Sequence, residues 1–144
     1  MPIVGFAITK ISGERKKESF DKLNIKSNLE ISDIKEDKIN VGKEQNVLKI
    51  SFNFTVNYEP DVANLGLSGY IYYLEDDKKM KEILNNWKSK KTLDRKLMER
   101  LFTAILTRCN IKALILSQDL NLPPHIRLPV VVSQPAQGKK DYIG

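Results

Sequence analysis

Alternation of apolar and polar residues predicts four β-strands in the first half of the chain. The clearest pattern runs from Asn46 to Tyr58, and a similar one, interrupted by two glycines, runs from Val62 to Leu74. Lys22 to Asp33 alternates with one lapse, whereas Pro2 to Ile11 carries apolar residues on both faces. Because successive side chains of a strand point to opposite faces, the first three patterns predict half-buried strands and the last predicts a strand covered on both sides.

The segments between these strands are short, so we expect the strands to pair antiparallel as a meander. Residues 12–19 are charged and predict a turn or an exposed hairpin arm. Residues 34–45 are also charged, contain Gly42, and predict a connection. Pro60 ends the third strand because proline lacks a backbone donor and fits a turn.

After Leu74 the apolar period changes from two to 3.6, which predicts a short helix. Asp76 or Asp77 is its expected N-cap, since a carboxylate accepts the free N–H groups of the first turn. Its apolar stripe consists of Met80, Ile83, Leu84 and Trp87.

A long helix is predicted from Thr92, its expected N-cap, to Leu120, and the rest of the fold is organised around it. One apolar side consists of Leu93, Leu97, Leu101, Ile105, Cys109 and Leu116. A second apolar surface consists of Met98, Phe102, Leu106, Ala113 and Leu114. The remaining solvent-facing stripe consists of Lys96, Arg100, Thr103, Thr107 and Asn110. Such a helix needs two covers: the sheet on one side, and either a later segment or a second subunit on the other.

The chain after this helix divides into two parts. Asn121 to Val132 is apolar and interrupted by prolines, so we expect it to run extended along the protein body. Ser133 to Gly144 lacks apolar periodicity and predicts a flexible tail. The fold class is therefore α+β, an antiparallel four-stranded sheet followed by a short and a long helix, with residues 1–132 as a single domain and 133–144 as a tail.

Composition supports one folded domain. The chain has 144 residues, of which 41% are hydrophobic and 29% charged, so disorder of the whole chain is not expected. No stretch is apolar enough for a membrane span, and the first residues do not resemble a signal peptide. Cys109 is the single cysteine, which excludes an internal disulfide and favours a cytoplasmic location.

The net charge of +6 is concentrated in the helical part of the chain. Residues 77–118 hold eleven Lys and Arg against four Asp and Glu, a balance of +7. Such one-sided charge favours an acidic partner such as nucleic acid. The alternative is a Lys-rich and Glu-rich surface of the kind that keeps some heat-adapted proteins soluble.

The corner between the two helices is the candidate nucleic-acid-binding site. Its cations are Lys88, Lys90, Lys91, Arg95, Lys96 and Arg100. Several cations that converge there would bind phosphates independently of sequence; the alternative is a solvated corner with Trp87 buried in the core. Tyr70 and Tyr72, on the outer face of the fourth strand, are expected either to stack on unpaired bases or to contact another subunit.

No residue set predicts catalysis. His125 is the only histidine, and Cys109 lies on an apolar helix face where a thiol is typically inert. One histidine and one cysteine do not make a zinc site, and helix capping explains the carboxylates of residues 75–77 better than calcium does. We expect no enzyme activity, no metal and no cofactor.

The order of these elements resembles the SecB family of export chaperones, over roughly Phe6 to Pro129. The local sequence is most similar at Arg108 and Cys109, in a helix, and at the following segment Leu120 to Pro123. These resemble the family's cysteine-containing helix and L-N-L-x-P segment. The short helix with Met80 and Leu84 is similar to the family's short, Met-containing helix. The resemblance implies a helix-layered sheet, homo-oligomers formed through the sheet and long helix, and apolar grooves for unfolded chains.

Two hypotheses follow. The first is a non-enzymatic RNA-binding protein, ribosomal or ribosome-associated, which uses the basic helix corner. The alternative is a SecB-like chaperone that binds unfolded polypeptides through apolar grooves. The basic charge departs from the acidic character of the SecB family, so docking to the export ATPase is not expected.

Overall fold

A computed structural model describes residues 3–129 and 131, which form a four-stranded antiparallel sheet followed by two helices. The elements are β1 (Ile3–Arg15), β2 (Asn24–Val41), β3 (Lys43–Glu59), β4 (Ala63–Tyr73), α1 (Asp77–Lys90) and α2 (Arg95–Asp119). The α+β class predicted from the sequence is confirmed.

The inner face of β3 and β4 forms the floor of the core. Every second residue is buried from Leu48 to Tyr58 of β3 and throughout β4, as the alternation predicts. The buried side chains are Leu48, Ile50, Phe52, Phe54, Val56 and Tyr58 of β3, with Leu65, Leu67, Ile71 and Tyr73 of β4. Burial of this many large apolar side chains is the main contribution to stability.

The strand order is β1-β4-β3-β2, so the predicted meander is correct for β2, β3 and β4 and wrong for β1. After β1, the backbone N–H groups of Lys16 and Lys17 donate to the carbonyl of Val62 at the β3–β4 turn (2.7 and 3.2 Å). The chain then crosses to β2 at the far edge, which gives a Greek-key order. The sequence did not reveal this order because the apolar pattern of β1 suits either edge of the sheet.

Residues 34–45, predicted as a connection, instead continue β2 and β3 into a long hairpin. The two strands have 18 and 17 residues and turn at Gly42, whose φ of 79° suits glycine. β3 pairs with β4 only as far as Leu48, so the end of the hairpin projects past β4. Similarly, β1 continues to Arg15 through part of the predicted turn.

Both helices begin with aspartate caps. The Asp76 carboxylate accepts a hydrogen bond from the backbone N–H of Lys79 (2.8 Å), as predicted for α1. α2 begins two residues later than predicted, because Asp94 and not Thr92 is its N-cap and accepts from the N–H of Leu97 (3.3 Å). The predicted stripe of α1 is buried: Met80, Ile83, Leu84 and Trp87.

The predicted flexible tail, Ser133 to Gly144, lies outside the described residues, as do Val130 and Val132 of the preceding segment. The division into a domain of residues 1–132 and a tail therefore stays a prediction. Neither helix in the described ranges is long and apolar enough to cross a membrane.

Candidate functional site

One row of α2 residues, spaced by four, attaches the helix to the sheet. Each of these side chains is buried, and the most exposed has 6% of its surface accessible. They are Leu97, Leu101, Ile105, Cys109, Ala113 and Ser117. A row of i and i+4 residues forms a ridge that packs into a groove of the facing surface. Ser117 fits because its hydroxyl donates to the carbonyl of Leu114 (2.8 Å).

A second row of α2, next to the buried one, is only partly covered. Met98 is 37% exposed, and Phe102 and Leu106 are half-buried. Together with polar residues of the neighbouring row of α2 they line an open groove of about 410 Å³. We call it the α2 groove, and its lining consists of Arg95, Met98, Glu99, Phe102, Thr103 and Leu106.

The segment after α2, residues 121–129, covers the other half of this row; we call it the strap. Nε2 of His125 lies 2.8 Å from Oδ1 of Asn110, and the His125 ring meets Phe54 edge-on at 6.2 Å between centroids. Leu122 is buried, and the Tyr58 hydroxyl donates to the carbonyl of Pro123. The expected extended segment along the protein body is confirmed here, and Asn110 contacts the strap instead of belonging to the predicted solvent-facing stripe.

The strap therefore decides which part of the second apolar surface stays open. It reaches Asn110, whereas the stretch from Met98 to Leu106 lines the α2 groove. Ile111 and Ile115, on a third row, are also exposed, at 59% and 46%. The predicted solvent-facing stripe did not include these two residues, although their four-residue spacing is visible in the sequence.

The six cations predicted at the helix corner have different local environments. Arg95 pairs with Glu99 (3.3 Å), and Nζ of Lys91 lies 5.1 Å from the centre of the Trp87 ring. Arg100 donates to the Tyr73 hydroxyl (3.4 Å), whereas Lys88 and Lys90 are exposed in the last turn of α1. Trp87 is in the core, as the alternative interpretation of this corner expected.

Lys96 and Arg100 line a cavity of about 240 Å³ between the end of β4, α1 and the start of α2. Its charged lining is balanced between Glu75, Glu82 and Asp94 and Lys79, Lys96 and Arg100. The Tyr73 hydroxyl donates to Glu75 (2.9 Å) there. Burial, and then this carboxylate, raise the pKa of Tyr73, so the phenol stays neutral. A cavity of balanced charge does not have the one-sided positive potential that phosphate binding requires.

Tyr70 and Tyr72 lie on the outer face of the sheet, as predicted, and contact each other at 4.9 Å between ring centroids. Nζ of Lys49 lies 4.5 Å from the Tyr70 ring centre, and the Tyr72 hydroxyl donates to Asp37 (3.2 Å). These contacts stabilise the outer face. A contact with another subunit stays a prediction.

The other residues considered for catalysis or metal binding are Cys109 and the carboxylates of residues 75–77. Cys109 is buried, and burial raises the pKa of its thiol to about 11, so the thiol is protonated at neutral pH. Glu75 bonds to Tyr73 and Asp76 caps α1, which accounts for two of the three clustered carboxylates. Within residues 3–129, no group of three or more His, Cys, Asp or Glu is arranged for a metal ion.

We expect acid to weaken the attachment of the strap. Nδ1 of His125 is buried without a hydrogen-bond partner among the described residues, and burial lowers the pKa of the ring. The His125 ring thus binds a proton less readily in the folded state than in the unfolded state. The free energy of unfolding should therefore be at its full value above about pH 6.5, the ordinary pKa of histidine, and should decrease as the pH falls below it. The slope should stay below the one-proton limit of about 1.4 kcal/mol per pH unit, because the ring is half-buried.

Urea unfolding between about pH 7 and 5.5 measures this slope, in a range above most carboxylate titrations. In His125→Gln, an amide takes the place of the imidazole beside Asn110 but does not titrate. The variant should therefore show a smaller slope in the same range. Equal slopes in the two proteins would contradict a contribution from His125.

The fold is similar to that of the SecB-like chaperone Rv1957 of Mycobacterium tuberculosis, whose structure contains a ChAD peptide from the HigA1 antitoxin. The likeness covers 93% of this chain and 91% of the other, with 19% sequence identity and a TM-score of 0.50. No family model and no curated protein matches the sequence. The SecB-like fold expected from the sequence is therefore shown by structure.

This comparison corrects the first functional hypothesis. The prediction of an RNA-binding, ribosomal or ribosome-associated protein is wrong, because the fold is similar to that of a SecB-like chaperone and no observation supports RNA binding. The physical reason lies in the helix corner. Its cations are divided among an ion pair, an indole contact, a cavity of balanced charge and free solvent, so an excess of positive charge along the sequence is not by itself evidence for RNA binding.

Proposed function

We propose that this protein is a molecular chaperone that holds unfolded polypeptide segments in the α2 groove. The observation that carries the proposal is the row Met98, Phe102 and Leu106, an apolar surface that the strap leaves open on the helix layer of a SecB-like fold. Exposed apolar patches bounded by polar residues commonly mark binding sites for other polypeptides.

The spacing of the row suits an extended chain. Residues four apart on a helix are about 6 Å apart along its axis, whereas alternate residues of an extended chain are about 6.6 Å apart. Consecutive apolar side chains of the row can therefore contact successive alternate side chains of a client. Met98 adds adaptability, because its unbranched side chain fits different partners.

The complex of Rv1957 with a peptide supports this proposal through the shared fold. Fold alone does not determine function, so the support depends on the open groove found in this chain. Holding a segment needs no catalytic group, in keeping with the expectation of a non-enzymatic protein. The expected cytoplasmic location is part of the proposal.

We also propose that the chaperone is a homo-oligomer, as the family resemblance implies. β1 and β2 are both edge strands, and Val4 and Ile11 of β1 are 46% and 49% exposed. An open strand edge of this length favours association with another chain.

The direct test follows the aggregation of a chemically denatured client by light scattering after dilution. The protein should suppress aggregation at near-stoichiometric ratios, and light scattering of the protein alone should give a multiple of its 16.5 kDa mass. If a large excess leaves the aggregation unchanged, the chaperone proposal fails. A monomeric mass contradicts only the proposed assembly.

A further inference from the structure

One face of each helix lines the cavity of about 240 Å³ at the corner between α1 and α2, which we call the corner cavity. The residues from α1 are Lys79, Glu82 and Ile83. Those from the first turns of α2 are Lys96, Leu97 and Arg100. Because residues three and four apart lie on the same side of a helix, each helix forms one continuous wall of this space.

A buried hydroxyl group connects one cation and one carboxylate of the corner cavity. Tyr73, at the end of β4, is 2% exposed. Its hydroxyl accepts a hydrogen bond from Arg100 (3.4 Å) and donates one to Glu75 (2.9 Å). The neutral phenol thus lies between the two charges and takes the place of a direct ion pair. Both charged groups can form further hydrogen bonds, since a guanidinium has five N–H donors and a carboxylate accepts several.

The other charged side chains of the corner cavity are not paired with each other either. The lining contains three cations and three carboxylates: Lys79, Lys96 and Arg100 with Glu75, Glu82 and Asp94. Within residues 3–129, none of these cations has a nitrogen within 4.0 Å of a carboxylate oxygen. Asp94 is engaged as the N-cap of α2, so Glu75 and Glu82 are the carboxylates that can contact a ligand.

The balanced lining disfavours ligands that carry a single kind of charge or none. An anion would meet Glu75 and Glu82 as well as the cations, and a metal ion would meet Lys79 and Arg100. An uncharged apolar ligand would take these groups out of water without pairing them. The volume is below the roughly 300–1,000 Å³ of sites for drug-sized ligands, so the ligand is a small molecule.

We propose that the corner cavity binds a small zwitterion, a free α-amino acid with an apolar side chain. Arg100 pairs with the carboxylate of the ligand, because a guanidinium matches a carboxylate through two parallel hydrogen bonds. Glu75 and Glu82 accept hydrogen bonds from the ammonium group. The apolar side chain packs against the apolar part of the lining: Ile83, Leu93 and Leu97.

This inference goes beyond the proposed function and does not depend on it. The corner cavity and the α2 groove have no lining residue in common. Client aggregation does not enter the test of the corner cavity, so failure of either proposal leaves the other standing.

Three ligands of almost the same shape test the need for both charges, in a titration followed by NMR chemical shifts. They are L-leucine, leucic acid, in which a hydroxyl replaces the ammonium, and leucinol, in which a hydroxymethyl group replaces the carboxylate. Leucine should bind with a dissociation constant of about 1 mM or lower, and the other two should bind about tenfold more weakly. No binding of leucine up to about 10 mM, or equal binding of leucine and either analogue, would overturn the proposal.

Two single variants assign the two ends of the ligand. In Arg100→Gln, leucine should bind about tenfold more weakly, and its preference over leucinol should fall to less than about twofold. In Glu82→Gln, the preference over leucic acid should fall in the same way, and the phenol link of Tyr73 stays intact. A structural disturbance would weaken all three ligands by the same factor, and that result would overturn the proposal.

Two exposed residues outside the cavity provide matched controls. Arg127→Gln and Glu36→Gln remove the same charges at positions that do not line it. Each should change the affinity for leucine by less than about twofold. Losses equal to those of the cavity variants would attribute the effect to net charge and contradict the proposal. If Arg100→Gln lowers the urea midpoint, Lys96→Gln tests the carboxylate end of the ligand, and an unchanged affinity for leucine in that variant would overturn the assignment.

Discussion

Replacement of Met98 and Phe102 with glutamine should remove most of the capacity to hold unfolded clients while leaving the fold intact. Both side chains line the α2 groove, and neither belongs to the buried row that attaches the helix to the sheet. Glutamine is a good helix former and keeps side-chain length, so α2 should persist. Loss of two apolar contacts should cost roughly 2 to 3 kcal/mol of client binding, or about 30- to 150-fold in affinity.

The matched control is Ile111→Gln with Ile115→Gln. These residues are on the same helix, have the same four-residue spacing and are at least as exposed, but do not line the groove. Client aggregation and the urea midpoint should be measured for both variants. The groove variant should fail to suppress aggregation at an unchanged midpoint, whereas the control should remain active. Equal activity in the two variants would mean that the α2 groove is not the binding site.

Gly69→Ala should destabilise the protein by more than about 3 kcal/mol. β1 lies close to β4 at Gly69, where an added Cβ would overlap the carbonyl oxygen of Ala7 and lie 2.9 Å from Cα of Ile8. Both contacts are with backbone, so relief requires movement of β1 away from β4. The register shift of β1 between Ile8 and Lys10 lies at the same point, and the substitution should disrupt the pairing there.

Gly66→Ala is the control for Gly69→Ala, because it lies in the same strand and also pairs with β1. Its added Cβ would meet only Oγ of Ser12, at 2.9 Å, and a serine side chain can rotate away. Urea unfolding of the two variants should therefore show a loss of less than about 1 kcal/mol for Gly66→Ala, partly offset by the lower entropy of its unfolded chain. Similar losses in both would show that close backbone approach at Gly69 is not the cause.

The sequence predicted those parts of the fold in which one face is buried and the other is wet. β3 and β4 meet this condition, so their inward and outward residues were predicted correctly from alternation. The projecting end of the β2–β3 hairpin does not have one buried and one solvent-exposed face, because β4 does not extend beside it. With little apolar burial to select residue types, residues 34–45 resembled a charged connection.

Placement of β1 depends on long-range pairing that local pattern does not encode. Its apolar residues on both faces are compatible with either edge of the sheet, and the order becomes clear only from the register between β1 and β4. The sequence pattern likewise does not determine which residue caps α2. Thr92 and Asp94 both suit an N-cap, and the backbone N–H that finds a partner decides between them.

The candidate site was partly visible in the sequence. Met98, Phe102 and Leu106 were identified as a second apolar surface, and the choice between strap and subunit was left open. The contact between His125 and Asn110 shows that the strap covers one half of this surface. The two residues are 15 positions apart in the sequence, and residue spacing alone does not predict their contact. The basic corner stays a prediction as a binding site, because net charge along the chain does not specify where side chains point or which neighbours neutralise them.

Strand order also determines how the chain emerges during synthesis. β1 is made first, but its partner β4 ends only at Tyr73, so at about 5–20 residues per second the nascent strand waits several seconds without a neighbour. The β2–β3 hairpin, made of adjacent segments, can form meanwhile and serve as a template for β4. Ile3, Phe6 and Ile8 stay without their partners until β4 and then α2 are made, so the β1 edge is the last part of the sheet to be completed.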